Sequence, residues 1–461
     1  MKPRRAAALI VGALGAAAFV RAEPPAPRPA NVILIVVDAL GAGHLGTYGY
    51  SRATDPRLKA FAATGAVFLN TIAQSDWTLP SLASLMTGLY PSVHGALLPI
   101  SDPNLGAQLE AGRFHPLAGQ RLEPSRPTLA AILAAQGYAT GAVVSGGFCN
   151  SAFGFGSGFA EYHNGGGRME ELSRTYLPWI EKNRDRRFFL YIHVGDVHDP
   201  YRAPPPFDGL WAKPYHGKQD GSRPALDALD DALAQGRPPS AEDVEHLRSL
   251  YDGGISYTDE HIGRLLDRLK ALGLAENTAV IVTADHGEAF LEHGLMRHGN
   301  SFYDELLRVP LIAAFPGLKG GQRLGGQARL IDVMPTVLDY LRVPAPPTQG
   351  RSLLPWLQGA PVEDREAFSE SNEGVSLRAG RWKLIRYRGR PEALYDLAGD
   401  AAERLSLRAD APAKWTALSG RLADWRAEMT RAAQTLPPLP AAGPQLDAAL
   451  KEQLKAGGYL K

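Results

Sequence analysis

The chain has 461 residues, with 49 lysine and arginine residues against 48 aspartate and glutamate residues and a single cysteine, Cys149. A formal charge of +1 argues against binding to nucleic acid or to an anionic membrane surface, and one cysteine excludes an intrachain disulfide and a zinc–thiolate site. A chain of this length can bury a large core. Its apolar, strand-like runs alternate with helical patterns, so we expect one α/β domain with an appendage.

Residues 1–22 have the pattern of a secretory signal. Basic side chains precede an apolar stretch at 6–20, and Val20-Arg21-Ala22 has the small-x-small character of a cleavage site. The stretch is shorter than the ~20 residues that span a bilayer, although an uncleaved anchor, which would tether the protein to a membrane, stays an alternative. We expect a periplasmic or secreted protein in which a proline-rich spacer, 23–30, follows the signal.

The next segments predict a buried strand and a helix that begins beside a hydroxyl group. Asp38 directly follows the apolar run 31–37, which predicts the strand. The segment 76–88 predicts a helix that is started by Pro80. Thr78 then lies at the helix N-terminus, where unpaired N–H groups and the helix dipole favour an alkoxide and an oxyanion such as sulfate or phosphate. Thr78 is therefore a candidate nucleophile, although a threonine there is also an ordinary helix cap.

Two further apolar runs predict strands of the same parallel sheet, and polar side chains follow both. The run 188–194 carries His193 and is followed by Asp196, His198 and Asp199, and the run 278–283 is followed by Asp285 and His286. Open parallel sheets bind ligands beyond the carboxyl ends of their strands, so these side chains and Asp38 can share one site. Asp38, Asp285 and His286 suit a divalent cation, and Thr78 can supply another oxygen.

The composition divides the chain after the spacer into three parts. We predict a catalytic α/β domain at 31–363, a small α+β subdomain at 364–430 and a tail at 431–461 that has no assigned task. Within the first part, the proline-rich segment 203–242 predicts an insertion near the site, which can set substrate choice or be a solvated loop.

The order of these motifs resembles the sulfatase branch of the alkaline phosphatase superfamily over most of the chain after about residue 30. The matching segments are 36–40, 78–81, 87–91, 94–95, 198–201, 257–260, 284–288, 298–299, 303–305, 308–311, 382–385 and 394–397. The resemblance implies a mostly parallel central sheet flanked by helices, with a small C-terminal α+β subdomain.

Departures from the family pattern bear on the chemistry. Where this chain has Thr78, the common signature has Cys or Ser, and where it has Leu82, the signature has Arg. Calcium-dependent members have a second Asp at the position of Ala39. Formylglycine looks excluded, because threonine carries a methyl group on its β-carbon and oxidation would give only a ketone. A threonine with an Asp/Asp/His set instead resembles the phosphodiesterases, phosphonate hydrolases and phosphoglycerol or phosphoethanolamine transferases of the superfamily.

The resemblance assigns a role to each candidate residue. The metal set is Asp38, Thr78, Asp285 and His286, with Ca²⁺ or Mn²⁺ foremost and Zn²⁺ or Mg²⁺ as alternatives. Thr78 attacks phosphorus or sulfur in line, while His198 and His298 contact the oxyanion and the leaving group.

We therefore predict a secreted, metal-dependent hydrolase of phospho- or sulfo-esters, with a small molecule, glycan or lipid as the alcohol. A transferase that moves a phosphoryl-linked head group uses the same residues, and a non-catalytic binding homologue is a third alternative. The sequence leaves the oligomeric state open.

Overall fold

The computed structural model describes residues 31–97, 121–438 and 447–456. The predicted signal and spacer lie outside these residues. The helices are α1 (Pro56–Ala62), α2 (Thr78–Thr87), α3 (Pro91–His94), α4 (Leu129–Ala135), α5 (Met169–Lys182), α6 (Arg223–Ala234), α7 (Ala241–Ala271), α8 (Asp304–Leu307), α9 (Val333–Leu341), α10 (Leu354–Leu357), α11 (Pro412–Gln434) and α12 (Ala448–Ala456). In this part of the chain, no helix combines the length and the apolar character needed to cross a membrane.

The strands divide between a large central sheet and smaller antiparallel ones. They are β1 (Asn31–Val37), β2 (Ala66–Ile72), β3 (Ala139–Val144), β4 (Glu161–His163), β5 (Phe188–Val194), β6 (Thr278–Ala284), β7 (Ala289–Phe290), β8 (Met296–Arg297), β9 (Arg308–Val309), β10 (Leu311–Ala314), β11 (Gln322–Arg329), β12 (Ala367–Ser371), β13 (Gly374–Ala379), β14 (Trp382–Tyr387) and β15 (Ala393–Asp396).

The central sheet has the order β11-β2-β10-β6-β1-β5-β3-β4, with β9 paired to β2. Its middle strands β6, β1, β5 and β3 run parallel, and β10 is antiparallel to both of its neighbours. Strands β1, β5 and β6 are buried at every residue, as their continuous apolar runs predict for strands covered on both faces. The expected mostly parallel α/β sheet is confirmed.

The register of this sheet places the candidate site. Val37 at the end of β1 pairs with Val194 of β5 on one side and with Ala284 of β6 on the other. Asp38 and Asp285 each follow directly after a paired residue, so they leave the sheet side by side at its carboxyl edge.

Helix α2 is packed into the core, and all of its 10 residues are buried. It begins at Thr78, two residues before the proline that the sequence uses as its start signal, and it ends before Gly88, whose φ of 67° suits a residue without a side chain. The Ser81 hydroxyl donates a hydrogen bond to the Asp285 carbonyl oxygen over 2.6 Å, which ties the first turn of α2 to the end of β6.

The C-terminal part forms an antiparallel sheet, β12-β13-β14-β15, covered by α11. Trp425 of α11 stacks on Phe368 of β12 with ring centroids 4.4 Å apart, and both belong to a core cluster that includes Tyr90. The expected small α+β unit is therefore present, and its limits at 364–430 stay a prediction.

The segment 203–242 contains α6 and reaches the first residues of α7. Helix α7 is 31 residues long and begins after Ser240, whose side chain forms a capping box with Asp243. Residues 255–269 lie in the second half of this helix.

Candidate active site

Asp38 and Asp285 are held by the ends of neighbouring strands. The Asp38 N–H donates to the Val194 carbonyl oxygen over 2.9 Å, which extends the β1–β5 pairing by one residue. Asp285 Oδ1 accepts hydrogen bonds from the N–H groups of Ala39 at 3.3 Å and of His286 at 3.0 Å. The second oxygen of Asp285, Oδ2, is therefore turned toward the other side chains of the site.

A strained turn follows Asp38. Ala39 has a φ of 60°, a left-handed conformation that costs a non-glycine residue about 1 kcal/mol or more. The Tyr251 hydroxyl holds the turn, because it donates to the Ala39 carbonyl oxygen over 2.7 Å and accepts from the Gly41 N–H over 3.0 Å.

His286 brings the predicted metal residues together. Its Nδ1 donates to the Gly287 carbonyl oxygen over 2.9 Å, so Nε2 is the nitrogen that faces the site. Nε2 lies 3.3 Å from Thr78 Oγ1, 3.4 Å from Asp38 Oδ1 and 3.7 Å from Asp285 Oδ2. The four residues predicted from separate motifs thus converge, and their roles as ligands stay a prediction.

His193 joins this group, although it was not placed in the predicted metal set. Its Nε2 lies 3.9 Å from both Asp38 Oδ2 and Asp285 Oδ2, and the three residues have the geometry of a possible metal site. The sequence signal was present, since His193 interrupts the otherwise apolar strand β5 one residue before its end. We call Asp38, Thr78, His193, Asp285 and His286 the strand-end cluster.

The strand-end cluster fits a cation. Asp38 Oδ1, Asp285 Oδ2 and His193 Nε2 are buried and have no hydrogen-bond partner among the described residues. Burial alone would lower the pKa of His286, but the carboxylates of Asp285 and Asp38 raise it to about 10. Carboxylate oxygens, a hydroxyl and imidazole nitrogens are ligands of divalent metal ions, and the cluster attracts positive charge.

His198 and His298 lie beside the cluster, and their roles in the reaction stay a prediction. Their ring centroids are 4.8 Å apart, and His298 is 4.4 Å from His286. His198 Nδ1 donates to the Asp199 carbonyl oxygen over 2.6 Å, and His298 Nδ1 lies 3.2 Å from both carboxyl oxygens of Glu288. Each ring is thereby fixed through Nδ1, and Nε2 is the nitrogen on its opposite side.

Burial and neighbouring charges shift the titration of these groups. The pKa of His298 falls well below its ordinary value because of burial and the charges of His286 and His198. Burial and the charge of Asp199 raise the pKa of Glu288 to about 8.

Two supporting residues were not assigned a role by the sequence analysis. Glu288 follows the 285–287 motif and orients His298, as described above. Asp76 fixes the next turn of the chain, because its carbonyl oxygen accepts from the Gly299 N–H at 2.9 Å and its carboxylate accepts from the Ser301 N–H at 3.1 Å. Asp76 precedes Thr78 by two residues, so it holds the Thr78 segment and the His298 segment against each other.

Asp199 is the anchor of the His198 segment. Its buried carboxylate accepts hydrogen bonds from Arg223 and, over 2.6 Å, from Arg297. Arg297 also pairs with Asp230 at 2.7 Å. Since Arg223 and Asp230 belong to α6, the segment 203–242 contacts the edge of the site through this ion-pair network.

Three other histidines have contacts of their own. His94 is fully buried and lies 3.1 Å from the Ser84 hydroxyl, His44 pairs with Asp252 at 3.0 Å, and the ring of His293 stacks on Tyr303.

Comparison with known proteins identifies the family of the chain. The family model described as Sulfatase matches residues 30–343. The chain belongs to the sulfatase family. Among curated relatives in that family, the choline-sulfatase of Rhizobium meliloti is 28% identical over 424 residues, which cover 82% of each chain. The multifunctional alkaline phosphatase superfamily protein PehA of Trinickia caryophylli is 26% identical over 482 residues, covering 82% of this chain and 91% of that protein.

Solved structures share the sulfatase-family fold. The phosphonate monoester hydrolase of Agrobacterium radiobacter superposes with a TM-score of 0.70 at 21% identity, covering 87% of this chain and 96% of the other. A structure in complex with its substrate D-glucosamine-2-N,6-O-disulfate gives a TM-score of 0.71 at 19% identity, covering 88% and 99%.

Family membership confirms the prediction of a hydrolase of the alkaline phosphatase superfamily. Sulfatases and phosphonate monoester hydrolases among the relatives support ester hydrolysis. The threonine nucleophile, the preference for phosphorus and the identity of the ion stay predictions.

Proposed function

We propose that this sulfatase-family protein hydrolyses phosphate esters and phosphonates, with the Thr78 hydroxyl oxygen as the nucleophile. One observation carries the proposal: Thr78 Oγ1 lies in the first turn of α2, 3.3 Å from His286 Nε2, beside the buried carboxylates of Asp38 and Asp285. The position combines a helix N-terminus, which favours negative charge, with ligands that suit a cation.

Asp38, Asp285 and His286 hold the cation in this proposal, with Thr78 as a further oxygen ligand. Mn²⁺ and Ca²⁺ are the foremost candidates, and Zn²⁺ and Mg²⁺ are the alternatives. When bound, the ion lowers the pKa of the threonine hydroxyl and neutralises charge on the ester group.

The protein's own groups complete the reaction. Thr78 Oγ1 releases its proton to solvent and forms a bond to phosphorus as the bond from phosphorus to the ester oxygen breaks. His198 donates a proton to the departing alkoxide, while His298, whose pKa is lowered, contacts the ester group as a neutral imidazole. Water then attacks the phosphothreonine and passes a proton back to His198, and the Thr78 oxygen leaves and takes up a proton from solvent.

The methyl group of Thr78 is the reason for the preference for phosphorus. A formylglycine hydrate expels sulfate with its second hydroxyl group, and threonine has no second hydroxyl. Water can resolve a phosphothreonine by attack at phosphorus, so the threonine route needs no such group.

Purified protein from a host without formylglycine-generating enzymes provides the test. Aryl phosphate monoesters and diesters, phosphonates and aryl sulfates should be assayed with Mn²⁺, Ca²⁺, Mg²⁺ and Zn²⁺ and with a strong chelator. We expect a higher kcat/KM for the phosphorus esters and loss of activity in chelator. A clear preference for sulfate esters, or full activity of a metal-free protein, would overturn the proposal.

We also propose that the protein acts in the periplasm or outside the cell, on the basis of the pattern at residues 1–22. N-terminal sequencing of the protein from its host should then give a start near Glu23. Recovery of the intact chain from the cytosol would contradict this location.

A further inference from the structure

Helix α6 turns one of its faces toward the edge of the active site. The residues of this face recur at the three- and four-residue spacing that places side chains on one side of a helix, and they are Arg223, Leu226, Leu229 and Asp230. Leu226 is fully buried, Leu229 is 3% exposed, and both belong to the main core. The two leucines dock the helix, so Arg223 and Asp230, two turns apart, have fixed positions on the same face.

Four charged side chains of alternating sign connect this face to the site. In order they are Arg223, Asp199, Arg297 and Asp230, and we call them the α6 ion-pair network. The Asp199 carboxylate accepts hydrogen bonds from Arg223 and, over 2.6 Å, from Arg297 Nε. Arg297 also donates to Asp230 over 2.7 Å. Both ends of the network therefore lie on α6, and its two middle residues lie in the segments that carry the site histidines.

The α6 ion-pair network is balanced in charge, because two guanidinium groups face two carboxylates. The Asp199 side chain is 0% exposed, and those of Arg223 and Arg297 are 16% and 18% exposed. Burial alone would raise the pKa of Asp199, but the charges of His198 and of the two arginines lower it. An arginine that is hydrogen-bonded to two carboxylates has little rotational freedom. The network is therefore a stiff connection between α6 and the edge of the site.

Each middle residue of the network is the chain neighbour of a site histidine. His198 Nδ1 donates to the Asp199 carbonyl oxygen over 2.6 Å, so the residue whose carboxylate is held by arginines also holds the ring. Arg297 precedes His298 and has a φ of 64°, a left-handed conformation that a non-glycine residue keeps only when its surroundings hold it. The contact between Asp199 and Arg297 thus joins the two segments that carry the histidines.

We propose that Asp230 and Arg297 are positioning residues, which set the positions of the His198 and His298 rings through the α6 ion-pair network. Helix α6 is then a component of the active site, although none of its residues belongs to the strand-end cluster. This inference rests on the proposed ester hydrolysis. Because His198 protonates the departing alkoxide in that reaction, a displaced ring slows chiefly the esters that have a poor leaving group.

Asp230→Ala tests the outer end of the network, where the side chain is 41% exposed and its loss disturbs the core least. We expect kcat for alkyl phosphates to fall roughly 10- to 100-fold, with a smaller loss for 4-nitrophenyl phosphate and little change in KM. Asp230→Asn keeps an oxygen for Arg297 and should lose less. Asp231→Ala is the matched control, since Asp231 is the next residue of α6 and is exposed. It should leave both rates unchanged.

Substitutions of Arg297 test the connection itself. Arg297→Gln should lower kcat for alkyl phosphates by about 100-fold, and Arg297→Lys should lower it less, because lysine keeps the charge but lacks the planar fork that binds two carboxylates. The double variant Arg297→Gln/Asp230→Ala should lose little more than Arg297→Gln alone, since both residues act through one contact. Losses that multiply in the double variant would contradict the role of Asp230.

NMR of protein with ¹⁵N-labelled histidine measures the rings without turnover. The signals of His198 and His298 are assigned with His198→Gln and His298→Gln, and the spectra are recorded in chelator. We expect Asp230→Ala to shift the signals of both rings and Asp231→Ala to leave them unchanged. Such shifts in a protein that turns over no ester would count against the hydrolysis alone. Unchanged ring signals, or an equal loss of kcat for every leaving group, would overturn the inference.

Discussion

Two buried charge clusters in this protein differ in what surrounds their carboxylates. Asp332 lies in an arginine cluster with Arg329 and Arg365. Its Oδ1 accepts from Arg329 and from the Arg351 N–H, each at 2.8 Å, and its Oδ2 lies 3.1 Å from Arg365. In the strand-end cluster, by contrast, Asp38 and Asp285 face the Nε2 atoms of His193 and His286 rather than arginines.

The difference separates a structural cluster from a binding site. The arginine cluster contains its own cations, and a buried carboxylate paired in this way is costly to disturb. The strand-end cluster pairs its carboxylates with His286, whose pKa they raise to about 10, so a proton on that histidine supplies positive charge when no ion is bound. A divalent cation can replace this proton and bind to the same atoms.

Loss of the nucleophile has the largest expected effect. Thr78→Ala should lower kcat by roughly 10³- to 10⁶-fold, the range seen when a nucleophile is removed from a preorganised site. Thr78→Ser is the matched control, because it keeps the oxygen and should retain measurable activity in a host without formylglycine-generating enzymes. An alanine variant with wild-type rates would remove Thr78 from the mechanism.

Substitution of one aspartate in each cluster by asparagine should change the free energy of unfolding by different amounts. Asp332→Asn should destabilise the protein by about 3–5 kcal/mol, because it removes the buried carboxylate that Arg329 and Arg365 share. Asp285→Asn keeps an oxygen for the N–H groups of Ala39 and His286, and Asp38 still faces His286, so in chelator it should cost less stability than Asp332→Asn.

Adding Mn²⁺ completes this experiment. Wild type and Asp332→Asn should gain stability, by about 2.7 kcal/mol when the ion is at 100 times its dissociation constant, and Asp285→Asn should gain less. Denaturant unfolding with and without Mn²⁺ gives all of these values. The distinction fails if Asp285→Asn in chelator loses as much stability as Asp332→Asn.

A smaller effect is expected at Glu288, which orients His298. Glu288→Gln should reduce kcat/KM about 10- to 100-fold, in the range typical of residues that orient a site histidine. Because His298 contacts the departing oxygen, and such a contact matters most for a poor leaving group, the loss should be greater for alkyl phosphates than for 4-nitrophenyl phosphate. An equal loss for every leaving group would argue that Glu288 has a structural role only.

The sequence predicted the site residues that directly follow a strand. Continuous apolar runs define β1 and β6, and Asp38, Asp285 and His286 follow them directly, so a parallel register is enough to bring them together. The role of Asp76 could not be predicted, because it depends on how the loop after β8 packs on α2. Arg297 meets Asp199 from a distant part of the chain, and no local pattern encodes such a contact.

Diffraction from crystals grown with Mn²⁺, recorded where manganese scatters anomalously, tests the central claim most directly. We expect a single strong peak in the strand-end cluster, about 2.0–2.6 Å from oxygens of Asp38 and Asp285 and from His286 Nε2, with Thr78 Oγ1 in reach. A fully loaded protein with no peak between Asp38 and Asp285, or with the ion bound elsewhere, would contradict the account.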